Sequence, residues 1–331
     1  ASLWFVEQGE WQLAVFFYVI ATIGFMAGNI FYDSLLPEVA SREKVDYVSA
    51  LGYSLGYLGG GSLFAVNVLM YLHPDWFGIP DSSTAIRISF LTVAIWWAVF
   101  TLPIIIFLPE PKSSNSVPLS KAVFSGISQL RETYDNIREM KIIGTFLLAF
   151  WLYEDGVATI VRMAGKIASS LGFAAGDIIT AILMVQFIGF PAALLYNWFA
   201  KKIGIKNAVL VAIAGYGIIT LLGYMMTDII HFYILAAMIG IFQGGIQSLS
   251  RSLFTRLVPK GKEAEFFGFY NMLGKFAAVI GPILVGWITV MTGNPRTGIL
   301  SIVVLFILGG LLLIKVDFEA GEKIAADFGK K

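Results

Sequence analysis

Nine apolar stretches of membrane length, three before and six after a charged segment at 109–141, constrain this chain more than any other feature. Lipid offers the backbone no hydrogen bonds, so a spanning segment must satisfy its own, and about 20 apolar residues in a helix cross the roughly 30 Å hydrocarbon core. The spans read as 12–33, 48–71, 89–108, 142–161, 177–199, 207–226, 229–249, 266–290 and 298–316. The predicted fold is therefore all-α, a polytopic membrane helix bundle. The composition agrees: 57% of residues are hydrophobic and 14% charged, outside the range of soluble domains.

Several functions are disfavoured at this stage. A net charge of +1 gives no electrostatic reason to bind nucleic acid. The chain has no cysteine, so it has neither disulfides nor thiolate metal sites. Its two histidines, His73 and His231, fall at span ends, and no metal-ligand cluster is visible. There is no GxxxxGK[ST] phosphate loop of an ATP-driven pump, and no nucleophile–base pair of an enzyme. Residues 1–11 lack the basic region and cleavage site of a signal peptide. No cofactor or metal is expected.

Charge sets the orientation. Lys and Arg concentrate in alternate connections, eighteen in one set and four in the other, with Lys275 inside a span. The first set includes Arg42 and Lys44, the 109–141 segment, Lys201–Lys202, Arg251–Lys262 and the C-terminal tail. By the positive-inside rule these connections are cytoplasmic, and the chain as given starts outside. Three further spans ahead of Ala1 would bring such a start back to the cytoplasm. A 3+6 arrangement resembles a 6+6 transporter without its first three helices.

The 109–141 connection begins with linker chemistry, Pro109-Glu110-Pro111-Lys112-Ser113-Ser114-Asn115. Leu119, Val123, Ile127, Leu130, Tyr134 and Ile137 then recur at helical spacing, which predicts an amphipathic helix on the cytoplasmic membrane surface. In span 48–71, Gly52, Gly56 and Gly59 fall along one face and predict a close helix contact. Gly274, Gly281 and Gly286 suggest the same in span 266–290.

Several runs carry a resemblance. Residues 31–38 read FYDSLLPE, 52–61 GYSLGYLGGG and 153–160 YEDGVATI. The stretch 244–282 reads GGIQSLSRSLFTRLVPKGKEAEFFGFYNMLGKFAAVIGP. Together they resemble the vacuole-effluxer (autophagy-related amino-acid effluxer) branch of the major facilitator superfamily, over essentially the whole chain. The resemblance implies twelve helices in two six-helix halves, of which this chain holds helices four to twelve. The implied domains are a partial N-terminal half at 1–108, a cytoplasmic linker at 109–141, a C-terminal six-helix half at 142–316 and a cytoplasmic tail at 317–331. The run Ala200-Lys201-Lys202-Ile203-Gly204 echoes the superfamily's loop motif, with Lys201 where Asp is usual.

Ionisable groups at mid-membrane cost about 2.5–3.5 kcal/mol on insertion scales and normally face a cavity or a partner. Glu154 and Asp155 lie near mid-span and point about 100° apart. Thr159, Arg162 and Lys166 share the Asp155 face, so Asp155 is expected to face the cavity, unless the stripe only marks the wet end of the helix. Lys275 lies near the midplane, with Asn271 one turn toward the cytoplasm. Gln243 and Gln247, one turn apart, suit a zwitterion or amide, or serve as interhelical glue. Arg251 is read as an interfacial anchor, and Tyr32 and Asp33 as capping or loop-anchoring groups. The candidate substrate or coupling-ion residues are thus Asp155, Glu154, Lys275, Asn271, Gln243 and Gln247.

The expected function is secondary transport of a small polar solute by alternating access, with the amino-acid efflux of the fungal relatives as the implied substrate class. The competing reading is a truncated, non-transporting membrane protein. The expected partners are the lipid bilayer, a small-molecule substrate and a coupling proton carried by Asp155 or Glu154. The expected location is the cell (inner) membrane. Oligomeric state is not legible in the sequence.

Overall fold

The computed structural model describes residues 1–7, 9–108, 126, 128–129, 131–137, 140–277 and 279–328. The linker residues Pro109–Asn115, Leu119, Val123, Ile127 and Leu130 lie outside them. Tyr134 and Ile137 belong to a helical stretch at 131–137, Tyr134 exposed and Ile137 buried.

Every regular element among the described residues is a helix, and nine helical segments are long and apolar enough to span a membrane. The helices are α1 (Trp11–Ser34), α2 (Leu36–Val39), α3 (Val45–Leu72), α4 (Ser82–Phe107), α5 (Lys141–Ser170), α6 (Ala175–Ile203) and α7 (Ile205–Tyr224). They continue with α8 (Ile229–Leu257), α9 (Glu263–Phe276), α10 (Ile280–Thr292), α11 (Pro295–Leu300), α12 (Val303–Lys315) and α13 (Phe318–Asp327). Local chemistry sets several boundaries. Asp81 caps α4 by accepting from Thr84 N–H at 2.8 Å, and Asp228 caps α8 by accepting from Ile230 N–H at 3.0 Å. Gly204, at φ 87°, turns the chain between α6 and α7, a conformation that costs glycine nothing.

Two expected spans are discontinuous. The span at 266–290 stops at Phe276 and resumes at Ile280. Pro282 contributes: it has no N–H to give to the preceding turn and is tolerated only near a helix start. The last span also divides, into α11 and α12. Conversely, α5 and α8 run well past the expected ends at 161 and 249, to Ser170 and Leu257.

The chain forms two compact units, Ala1–Gly28 with Gly59–Gln129, and Asn29–Leu58 with Leu130–Lys331. In the first, Arg87 Nε donates to Trp4 O at 2.9 Å, Thr92 Oγ1 donates to Asn67 Oδ1 at 2.9 Å, and Phe25 meets Trp97. The most apolar window of α4 is not buried against protein, as suits a helix solvated by lipid.

The second unit holds the main core. Helices α6 and α8 pack tightly: Gly240, Gly244 and Gly245 of α8 meet Ile188, Ala193 and Tyr196 of α6 with little room for a Cβ. Packing of this kind drives association in lipid, where apolar burial alone gains little. A stacked aromatic column joins α5, α8 and α9: Phe150–Tyr270 at 4.1 Å, Tyr270–Phe254 at 4.8 Å and Phe254–Phe146 at 5.9 Å. Helix α13 packs Phe318 on Phe146 and Gly321 against Leu257.

The glycine face expected on α3 packs in part: a Cβ on Gly52 would lie 3.1 Å from the Tyr32 hydroxyl and 3.3 Å from Arg251 Nη2, and one on Gly59 3.6 Å from the Trp96 ring. A Cβ on Gly56 would meet nothing within 4 Å, whereas Ser49, Ser54 and Tyr57 are buried. Polar and aromatic groups join Gly52 in docking the first turns of α3. In the span at 266–290, Gly274 meets Phe150 and Gly281 meets Thr159, whereas Gly286 faces open space.

Candidate functional site

Three α3 side chains reach α6 and α8. Ser49 Oγ donates to Ser248 O at 2.7 Å and Ser54 Oγ to Phe190 O at 2.7 Å. Tyr57 enters a crevice left by two glycines: a Cβ on Gly189 would lie 3.1 Å from its ring, and one on Gly244 3.3 Å. At the inner end its hydroxyl donates to Gln247 Oε1 at 2.8 Å.

Gln247 in turn hydrogen-bonds the side chain of Glu154, and the Lys275 ammonium acts on the same carboxylate. Glu154 Oε2 is buried with no hydrogen-bond partner among the described residues. Lys275 occupies the last turn of α9, where the helix macrodipole favours a cation. Tyr57, Gln247 and Glu154 therefore form one hydrogen-bonded string from α3, α8 and α5, and the exposed Lys275 of α9 adds its charge to the field at the carboxylate. Together these residues can offer an ammonium, a carboxylate and neutral hydrogen-bonding groups to a solute.

One turn along α8 from Gln247 lies a buried ion pair. Arg251 is 4% exposed, and its Nη1 donates to Asp33 Oδ1 at 2.8 Å. Its Nε donates to Ser49 Oγ at 3.0 Å and its Nη2 to Ser49 O at 3.1 Å. The guanidinium also sits 4.5 Å from the Tyr53 ring centroid, within cation–π range. Asn271 Nδ2 donates to Asp33 Oδ2 at 3.0 Å. A buried pair is retained only when its remaining hydrogen bonds are made, and these partners cover both carboxylate oxygens and all three guanidinium nitrogens.

These contacts revise several expectations. Arg251 is not an interfacial anchor: α8 continues to Leu257, which carries the residue inside the protein. Asp33 is an ion-pair partner rather than a cap, and Asn271 binds Asp33. Glu154 and Asp155 take separate partners. Asp155 is 1% exposed and accepts from Gly281 N–H at 3.0 Å and Thr159 Oγ1 at 3.3 Å, at the start of α10. It joins α5 to the resumed helix, while Glu154 shares the string with Gln247. Gln243 stands apart from Gln247, beside a separate cavity, with its Oε1 buried and unpartnered among the described residues.

Tyr57, Ser49 and Tyr53 escaped notice in the sequence because neutral side chains at mid-span carry no desolvation alarm. Asp33 and Arg251 did carry one. Two opposite charges at the ends of apolar segments are candidates for each other, and that pairing rule could have found them.

The fold compares with solved transporters. The chain aligns with the major facilitator superfamily transporter FucP in its outward conformation at a TM-score of 0.57 and 16% identity, over 88% of this chain and 72% of that one. The human organic anion transporter MFSD10 gives 0.57 and 13%, over 94% and 86%. The fold is that of the major facilitator class of membrane transporters. The chain belongs to the vacuole effluxer Atg22-like family, whose profile matches residues 1–326. The MFS-type transporter YxiO of Bacillus subtilis is 35% identical over 326 residues, covering 98% of this chain and 76% of that protein. Autophagy-related protein 22 of Yarrowia lipolytica is 27% identical over 328 residues, covering 87% and 54%. The chain thus spans three quarters of the bacterial relative and about half of the fungal one. The family is one of transporters, not enzymes.

Proposed function

We propose that the native gene product is a secondary transporter that moves a small polar solute by alternating access, with Tyr57, Gln247, Glu154 and Lys275 around the solute. The observation that carries this reading is Glu154 Oε2, a buried carboxylate oxygen without a hydrogen-bond partner among the described residues, on a carboxylate that also feels Lys275. Burying such an atom costs free energy that a donor on a solute, or a proton, would offset. The charge pattern supports a zwitterion, whose ammonium and carboxylate complement Glu154 and Lys275, and so amino-acid efflux as the finer assignment. Glu154 is the first candidate for a coupling proton. Asp155 is the second, because its Oδ2 is also buried and unpartnered among the described residues.

The domain organisation accompanies this reading: an N-terminal bundle at 1–108, a linker at 109–141, a six-helix half at 142–316 and a tail at 317–331. The basic connections face the cytoplasm, in the cell membrane of a bacterium-like cell, and Arg251–Asp33–Asn271 closes the pathway at that end. The test is uptake of a panel of labelled amino acids by proteoliposomes containing the native gene product. Glu154→Gln and Lys275→Met should each lower transport with the protein still folded. Native rates in both variants would remove the string from the pathway.

A further inference from the structure

The second unit contains a cavity of about 380 Å³, lined by α5, α6, α7, α8 and the α11–α12 junction. Its wall is largely aliphatic and aromatic, with Ile160, Ile178, Ile219, Phe232, Leu235 and Ile239 among the lining residues. An apolar cavity of about 150 Å³ stays dry and takes up hydrocarbon, and this one is larger. It also has two distinct ends. Arg162 lines it and is exposed, while Gln243 lines it with a buried Oε1 that has no partner among the described residues.

The Arg162 charge is uncommitted by ion pairing among the described residues. Asp155 feels that charge, but its Oδ1 is held by Gly281 N–H. Along α8 the lining residues Phe232, Leu235, Ala236, Ile239 and Gln243 follow one face. At 1.5 Å per residue this stripe is about 16 Å long. At roughly 30 Å³ per water-sized group, the volume holds on the order of a dozen such groups.

We propose that this cavity binds a single-chain alkyl carboxylate, with its carboxylate on Arg162 and its chain running along α8 toward Gln243. A shape of this kind excludes two bulky acyl chains, and a guanidinium at the mouth selects the anion over the alcohol. The site is separate from the Glu154 string, so its occupancy tests nothing about that string.

The experiment uses the native gene product in proteoliposomes and a long-chain carboxylate with a diazirine at the far end of the chain. Peptide mapping after irradiation should place the label on α8 between Leu235 and Gln243. Excess dodecanoate should remove it, and equal dodecanol should not. Arg162→Gln should weaken labelling by about tenfold, the loss expected for a charge-assisted contact. Ile239→Trp, which fills the cavity, should abolish labelling, and Ile239→Val, which keeps the space, should leave it. Label confined to outward-facing residues such as Leu221 and Ile241 overturns the proposal, as does native labelling of Arg162→Gln. Equal competition by dodecanol overturns the anionic head, and displacement by added anionic phospholipid overturns the single-chain assignment.

Discussion

Asp33 and Arg251 lie 218 residues apart and meet at 2.8 Å inside the protein. The pair ties the end of α1 to α8, and Ser49 and Asn271 complete it from α3 and α9. Removing one partner strands the other charge. Asp33→Ala should therefore destabilise the protein by about 3–5 kcal/mol. Asp33→Asn, which keeps the shape, should cost less. Thermal unfolding in detergent measures both, and a double-mutant cycle with Arg251→Met should show strong coupling. Additive effects would mean that the two side chains do not act as a pair.

Tyr57→Phe keeps the ring in its glycine crevice and deletes only the hydroxyl that reaches Gln247. The expected stability loss is about 1 kcal/mol, the usual net worth of one hydrogen bond. If Gln247 orients Glu154 for the solute, the same variant should weaken apparent solute affinity more than it weakens the fold. An unchanged affinity would confine Tyr57 to packing.

Two glycine substitutions should separate packed from open helix faces. Gly245→Ala drives a methyl into the Tyr196 ring, and overpacking of that kind costs about 1–3 kcal/mol. Gly56→Ala meets open space and should be neutral or stabilising by up to about 1 kcal/mol, because alanine is the better helix former. The order of the two melting temperatures decides the assignment of faces.

Asp155→Asn keeps a carbonyl oxygen for Gly281 N–H but removes the charge at the start of α10. If Asp155 serves mainly to hold the interrupted helix, Asn should support near-native transport and Ala should not. If Asn and Ala fail alike while both remain folded, Asp155 has a role in charge movement.

The proposed orientation is open to cysteine labelling, because the chain has no native cysteine. Lys260→Cys should react with an impermeant reagent only after the membrane is breached, and Pro80→Cys in intact cells. The reverse pattern would invert the topology.

The sequence alone determined the nine spans, the all-helical class and the family, because membrane insertion is governed by local length and hydropathy and those survive in a one-dimensional reading. It also marked Glu154, Asp155 and Lys275, and Asn271 one turn from Lys275, as unusual, since charged and polar groups in an apolar run are visible without a structure. The tertiary structure decided what those groups do. Glu154 and Asp155 are neighbours in the chain, yet one joins Gln247 and the other caps α10, because adjacent helical residues point about 100° apart and different helices cover each direction. Arg251 changed from a surface anchor to a buried partner because α8 runs two turns past its apolar stretch. Tyr57 gained its place from glycines on two other helices. Pairings of this kind depend on helix packing, and packing joins residues that hydropathy treats one at a time.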